Sequence, residues 1–149
     1  MVNLCIDQLL ERFEQQCQKK VKNAPFLMGQ GVWIDSDNLD WEDEVREVLK
    51  HGTLSMGFIG LAETLKSLIG KHHGESEEAQ KLGLKIVGHL RERMDEESQK
   101  RKLNFTLLAT PAEGLSGRFV NIDKKRYGII EGITDRDYYT NSFHVPVYY

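Results

Sequence analysis

The chain has 149 residues, of which 40% are hydrophobic and 29% are charged. Its 20 Lys and Arg residues against 23 Asp and Glu give a net charge of −3, without the basic surplus of a general nucleic-acid-binding protein. Apolar residues recur throughout, which excludes a fully disordered chain, and the apolar runs are far shorter than the ~20 residues that cross a bilayer. A chain of this length without an evident linker predicts a single domain over residues 1–149.

The first predicted element is an amphipathic helix over residues 3–22. Its apolar residues recur at spacings of one, three and four, which places them on one helical face: Leu9, Leu10, Phe13, Cys17 and Val21. Cys5 and Cys17 lie about three turns apart on this helix, too far for a disulfide. The N-terminus also lacks the basic region and apolar core of a secretory signal, so we expect a reducing, cytoplasmic location.

An irregular stretch over residues 26–40 should follow, with a turn at Asp35–Asn38. A short helix is then predicted over Trp41–Lys50. Asp40 is placed to cap this helix, and Gly52 supplies its stop.

The centre of the chain predicts a buried strand or turn over residues 53–60, where two glycines allow close backbone contact. A helix over Leu61–Ile69 should follow, ending at a glycine, and then a polar loop over residues 71–75. Ser76 is placed to cap the longest helix, which is predicted to run to about Gln99.

The last third begins with a strong strand candidate, Leu103–Ala109, which is short and mostly apolar. A helix should begin at Thr110, and Tyr127–Ile130 predicts a further short strand. The tail, Tyr138–Tyr149, is aromatic and unusually apolar, and we interpret it as a strand that packs against the rest of the fold.

The most informative stretch is the predicted strand-to-helix turn after Ala109. Thr110 suits an N-cap, Pro111 suits the first helical position, and Glu113 would complete a capping box. A helix that begins at the end of a strand presents free amide hydrogens and a positive dipole end, which suit phosphate. Gly114 allows close approach, and Ser116 adds a hydroxyl. The same residues are also consistent with an ordinary capped helix.

Four segments of the chain, in this order, closely resemble the anaerobic (class III, glycyl-radical) ribonucleoside-triphosphate reductases. They are His51–Glu63 (HGTLSMGFIGLAE), Gly70–Ser76 (GKHHGES), Leu107–Phe119 (LLATPAEGLSGRF) and Tyr138–Val147 (YYTNSFHVPV). Four long matches in the same order indicate one family far more specifically than a single glycine motif would. The resemblance covers essentially the whole chain and implies an internal part of the family's catalytic domain.

The resemblance implies an α/β fold, here a helix-rich part of a ten-stranded α/β barrel. It implies the radical conversion of ribonucleoside triphosphates to 2′-deoxyribonucleoside triphosphates by a cytoplasmic homodimer. The whole enzyme would use a glycyl radical, a structural zinc site, nucleotide effectors and a radical-SAM activating enzyme. We expect the finger-loop cysteine to precede this segment and the radical glycine to follow it. The segment has no CxxC pair, so we expect neither catalytic residues nor metal ligands here, and no turnover by this chain alone.

By position, the resemblance places the substrate-phosphate turn on six residues: Thr110, Ala112, Glu113, Gly114, Leu115 and Ser116. The backbone amides of residues 112–115 and the hydroxyls of Thr110 and Ser116 are the expected ligands. Glu113 is assigned to capping, which makes it the weakest member of the set.

Other polar residues have two interpretations each. Glu63 is either a general acid–base or a charge that is favourable near a helix N-terminus. His72 and His73 are adjacent and lack a spaced third ligand, so a packed loop explains them better than a metal site. His144, between two apolar residues, is expected to be a packed histidine.

Two other functions stay open at this point. The chain is alternatively a non-catalytic scaffold or regulatory protein that keeps this piece of the fold, or part of a different glycyl-radical enzyme. The phosphate turn argues against the second, because a non-nucleotide substrate does not need it.

Overall fold

A computed structural model of the chain describes residues 1–144. These residues form five helices and two strands, joined by loops with two short 3₁₀ turns. In chain order the elements are α1 (Val2–Cys17), α2 (Arg46–Leu49), β1 (Thr53–Phe58), α3 (Leu61–Ile69), α4 (Glu77–Arg101), β2 (Asn104–Ala109) and α5 (Glu113–Tyr127). The strands pair in one sheet, in which the start of β1 bonds to the start of β2 and the end of β1 bonds to the residue after β2.

The register of these bonds makes the two strands parallel, with the helix-rich connection between them that a parallel pair requires. Mixed helix and sheet content confirms the α/β class. None of the helices in residues 1–144 is both long enough and apolar enough to cross a bilayer.

Two compact units make up the chain. The first consists of Met1–Met56 and Arg93–Thr106, and the second of Gly57–Glu92 and Leu107–Tyr149, of which the last five residues lie outside the described part. That residues 1–149 form one segment of a barrel domain stays a prediction.

The first unit has its core beneath the loops that follow α1. Four buried side chains form this core: Val21, Met28, Val45 and Val48. Trp33 packs against them and donates its indole N–H to the carbonyl of Val48 at 2.8 Å. This bond satisfies the polar atom of a large side chain that is otherwise placed among apolar groups.

The predicted helix over residues 3–22 ends early, at Cys17. Residues 19–21 instead pair with residues 43–45, where the Val21 amide donates to Asp43 and the Val45 amide donates to Lys19. The same pairing makes the predicted helix over Trp41–Lys50 wrong in its first half, because residues 41–43 form a turn, Glu44 forms a bridge with Lys20 and α2 begins only at Arg46.

The capping assignment of Asp40 is also wrong. No side chain among the described residues caps α2, and the Asp40 amide donates instead to the carboxylate of Asp43 at 2.9 Å. Asp40 therefore stabilises a turn ahead of the bridge.

The second unit follows the sequence prediction closely up to the end of β2. Gly60 and Gly70, both with positive φ, flank α3 over its predicted range. The Ala79 amide donates to the Ser76 hydroxyl at 3.2 Å, which confirms the predicted cap of α4. Leu65, on the inner face of α3, is fully buried.

Beyond β2, two predictions fail. The predicted strand Tyr127–Ile130 does not form, because α5 continues to Tyr127 and Gly128 turns the chain away with φ 82°. Residues 138–144 are irregular, with bends, rather than the predicted strand of the aromatic tail, and residues 145–149 lie outside the described part.

Candidate functional site

The turn between β2 and α5, residues 110–116, is called the β2–α5 turn below. Its first residue continues the sheet, since the Thr110 amide donates to the carbonyl of Phe58 at 3.3 Å. A Cβ on Gly57 would lie 2.7 Å from the methyl group of Thr110 and 2.8 Å from its Cβ. Gly57 is therefore required where β1 lies against the turn.

The predicted capping box at Thr110 and Glu113 is wrong. The helix begins three residues later than expected, at Glu113, and Ala112 precedes it in a left-handed conformation with φ 40° and ψ 41°. Thr110 is held in the sheet, so its hydroxyl does not cap the helix, and no other side chain in residues 1–144 caps it.

The first turn of α5 contains the amides that the sequence analysis expects to bind phosphate. The helical bonding of α5 starts with the Ser116 amide, which donates to Ala112 at 2.7 Å. The amides of Glu113, Gly114 and Leu115 precede this bond, as the first amides of any helix do, and all three residues are exposed. A Cβ on Gly114 would meet nothing within 4 Å, so the space above this turn is open.

Ser116 lies on the inner side of the same turn. It is fully buried, and its hydroxyl donates to the carbonyl of Glu113 at 3.1 Å and accepts a bond from Asn141 at 3.3 Å. Its hydroxyl is thus used to hold the turn together. Residues 113–115 are exposed, whereas the residue that carries this hydroxyl is buried.

Glu63 lies in the first turn of α3 and is only 3% exposed. Its carboxylate pairs with the guanidinium of Arg136, and it also accepts bonds from the amide of Thr140 at 3.2 Å and from the hydroxyl of Thr140 at 2.9 Å. The carboxylate is therefore enclosed by donors. Its place in the first turn of α3 agrees with the interpretation as a favourable charge near a helix N-terminus, whereas nothing in the sequence around residue 63 indicates Arg136 or Thr140.

An open cavity of about 490 Å³ lies next to Glu63, between α3 and α5. Phe119, Ile122 and Leu68 supply much of its apolar lining. At one side Tyr139 donates its hydroxyl to Asp123 at 2.7 Å. Burial, together with this bond, raises the pKa of Tyr139 well above its ordinary value of 10, so the phenol keeps its proton.

His72 and His144 are held by contacts with neighbouring residues. His72 is 2% exposed, and its Nδ1 accepts a bond from the amide of Gly74 at 3.0 Å. His144 packs its ring on Tyr138 with ring centres 4.1 Å apart. Within residues 1–144, no three His, Cys, Asp or Glu side chains converge as a set of metal ligands.

A family model described as anaerobic ribonucleoside-triphosphate reductase matches the chain over residues 1–149. The chain belongs to this reductase family. It is 37% identical to the anaerobic ribonucleoside-triphosphate reductase of Escherichia coli K12 over 131 residues, which are 86% of this chain and 18% of that protein.

Two further relatives carry the same name. The protein of Haemophilus influenzae is 35% identical over 142 residues, which are 93% of this chain and 20% of the relative. The protein of Enterobacteria phage T4 is 31% identical over 148 residues, which are 98% of this chain and 22% of the relative. The chain therefore spans about a fifth of the length of the reductases that it matches.

The residues of this reductase-family chain do not fit the zinc site that the resemblance implies for the whole enzyme. Both cysteines, Cys5 and Cys17, are free thiols on α1, and burial raises the pKa of Cys17. A raised pKa disfavours the thiolate that zinc binds.

Proposed function

We propose that this chain is part of an anaerobic ribonucleoside-triphosphate reductase and that its β2–α5 turn binds the triphosphate of the substrate. The observation that carries the proposal is the first turn of α5, which begins shortly after a strand and has three exposed residues, Glu113–Leu115, whose amides precede the first helical bond. The resemblance to the reductase family supports the same role, because it implies a substrate-phosphate turn at these positions.

The chemistry of the turn suits a polyanion. Amide hydrogens at the N-terminus of a helix point along the axis, and the helix dipole adds a partial positive charge there. The open space above Gly114 lets phosphate oxygens approach the backbone. The Glu113 carboxylate, by contrast, carries a like charge, so the amides must outweigh its repulsion.

The contribution of this chain is to bind and orient the substrate. In the whole enzyme a glycyl radical supplies the one-electron chemistry, and no radical step is assigned to residues 1–149. The activating radical-SAM partner, the nucleotide effectors and the homodimer are likewise proposed for the whole enzyme. The chain alone should give no reductase turnover.

Gly114→Ala tests the phosphate role without disturbing the fold. A methyl group there meets nothing within 4 Å, and Ala in a helix is more stable than Gly by roughly 0.5–1 kcal/mol. The same methyl group would stand where phosphate oxygens approach. We therefore expect an equally or more stable protein whose affinity for a ribonucleoside triphosphate falls about tenfold, the loss of one or two charge-assisted bonds.

Gly88→Ala is the matched control, since Gly88 lies within α4 and its added Cβ also meets nothing within 4 Å. Both variants should gain stability, but only Gly114→Ala should lose affinity in calorimetric titrations of the full-length reductase with inorganic tripolyphosphate and with a ribonucleoside triphosphate. Equal affinities for the two variants would refute the phosphate role of the turn.

A further inference from the structure

Residues 139–142, here called the 139–142 segment, form hydrogen bonds with α3 on one side and with the β2–α5 turn on the other. Towards α3, the Gly60 amide donates to the carbonyl of Thr140 at 2.7 Å. Towards the turn, the Ser142 amide donates to the carbonyl of Thr110 at 3.3 Å. The segment has no regular secondary structure of its own, so these bonds to its neighbours determine its position.

Glu63 is the anchor of this segment on α3. Its carboxylate accepts bonds from both the amide and the hydroxyl of Thr140, and Arg136 neutralises its charge. Arg136 is itself fixed, because it also donates to the carbonyl of Gly132 at 3.0 Å. A buried carboxylate with this many donors is strongly held, since each bond is charge-assisted.

Asn141 joins the segment to the turn. It is 9% exposed, and its side-chain amide donates to the hydroxyl of Ser116 at 3.3 Å and to the carbonyl of Tyr139 at 3.2 Å. Its side-chain oxygen accepts bonds from the amides of Phe143 and His144, both at 2.9 Å. Every polar atom of this side chain is therefore used, and its orientation is fixed.

The consequence is that the β2–α5 turn is held at both ends and free in its middle. Consecutive residues of one segment hold it, Ser142 at Thr110 and Asn141 at Ser116. Between these two points the exposed residues 113–115 have space for a ligand.

We propose that Glu63 and Asn141 are positioning residues, which set the β2–α5 turn in the conformation that receives the triphosphate. The inference rests on the proposed function. Glu63 acts through Thr140, and Asn141 acts through Ser116. Neither residue needs to touch the substrate for this role.

The test uses the full-length reductase with substitutions in the 139–142 segment and at its anchor. Asn141→Ala removes the bond to Ser116 together with the other bonds of the side chain. Thr140→Val removes the hydroxyl that donates to Glu63 but keeps its shape, whereas Thr140→Ser restores the hydroxyl. Glu63→Gln keeps the size of the side chain but removes its charge.

The first readout needs no ligand. Amide hydrogen exchange of a peptide that covers residues 110–117, followed by mass spectrometry, should be about fivefold faster in Asn141→Ala and Thr140→Val, the effect of one lost hydrogen bond. Thr140→Ser should exchange as the unmodified protein does. Unchanged exchange in both Asn141→Ala and Thr140→Val would overturn the inference.

The second readout separates positioning from general weakening of the fold. The affinity for a ribonucleoside triphosphate should fall about fivefold in Asn141→Ala and Glu63→Gln, while the affinity for the corresponding nucleoside should stay the same. An equal fall for both ligands would show a structural role only. Glu97→Gln is the control, because Glu97 is another buried glutamate paired with arginines, in α4. The affinity of the Glu97→Gln variant for the triphosphate should equal that of the unmodified reductase.

The two proposals fail in different ways. If Gly114→Ala binds the triphosphate as tightly as the unmodified reductase does, the proposed function fails. The exchange experiment then still shows whether the 139–142 segment holds the turn. If Gly114→Ala weakens binding but Asn141→Ala changes neither exchange nor affinity, only the positioning inference fails.

Discussion

Two buried glutamates, Glu63 and Glu97, are each paired with arginine, but they are held in different ways. Glu97 lies in α4 and pairs with Arg93 and Arg101, both four residues away on the same helix. Glu63 pairs with Arg136, 73 residues away. The first pairing reinforces one helix, whereas the second fixes the path of a distant segment. A buried carboxylate is therefore informative about tertiary structure only when its partners are distant.

The largest expected effect is that of Glu63→Ala. It leaves the buried guanidinium of Arg136 without its carboxylate and removes the acceptor of both Thr140 donors. We expect a loss of about 3–5 kcal/mol in the free energy of unfolding, which denaturant unfolding would measure. A loss below about 1 kcal/mol would contradict the structural importance of this pair.

The same substitution at Glu97 should cost much less, about 1 kcal/mol, because its partners are partly exposed and lie on its own helix. The pH dependence of the stability that Glu97 contributes sharpens the comparison. The bond from Arg101 holds the pKa of Glu97 below its ordinary value of 4.5, against the opposing effect of burial.

A lowered carboxyl pKa contributes stability above pH 4.5, which is lost as the pH falls through the lower folded value. Glu97→Ala should therefore lose less stability than the unmodified protein between pH 5 and pH 3, as measured by thermal unfolding across that range. Parallel curves for the two proteins would show that the ion pair contributes nothing.

The smallest expected effect is at His73, close to Glu63. Burial, and secondarily the neighbouring His72, lower the pKa of His73 from 6.5, although the charge of Glu63 opposes this. Among the described residues, no partner bonds to its buried Nδ1. A lowered histidine pKa means that the unfolded chain binds more protons just below pH 6.5, so stability falls as the pH drops through this range.

His73→Leu removes this proton uptake. The difference in unfolding free energy between the unmodified protein and His73→Leu should change as the pH is lowered from 7 to 5.5, with the unmodified protein losing more. A constant difference would mean that His73 has the same pKa in the folded and unfolded chains.

The elements whose signals are local were predicted well from the sequence. Gly60 and Gly70 bound α3, and Ser76 caps α4, because each signal lies within one turn of the helix end that it determines. The position of the candidate turn after β2 was predicted for the same reason. The α/β class was predicted too, whereas the barrel stays a proposal.

The predicted helix boundaries are wrong where residues distant in sequence form hydrogen bonds with the backbone. Pairing between residues 19–21 and 43–45 shortens α1 and delays α2, and no helical pattern reveals it. Thr110 is a residue type that favours the N-cap position. Its backbone is already bonded to the sheet and to Ser142, however, so α5 begins only at Glu113. Arg136, Thr140 and Asn141 bond to residues that are distant in sequence, and the periodicity of a helix or strand relates only residues that are close in sequence. The resemblance contained Thr140 and Asn141 but gave them no role.

The contact between Gly57 and Thr110 has a consequence for evolution. Since the two residues share one small volume, the side chain tolerated at position 57 depends on the one at position 110. A larger residue at 57 becomes acceptable only after Thr110 has been replaced by a smaller one, so mutations at these positions are epistatic. Divergence at position 57 in the first strand is thereby coupled to divergence at the start of the β2–α5 turn.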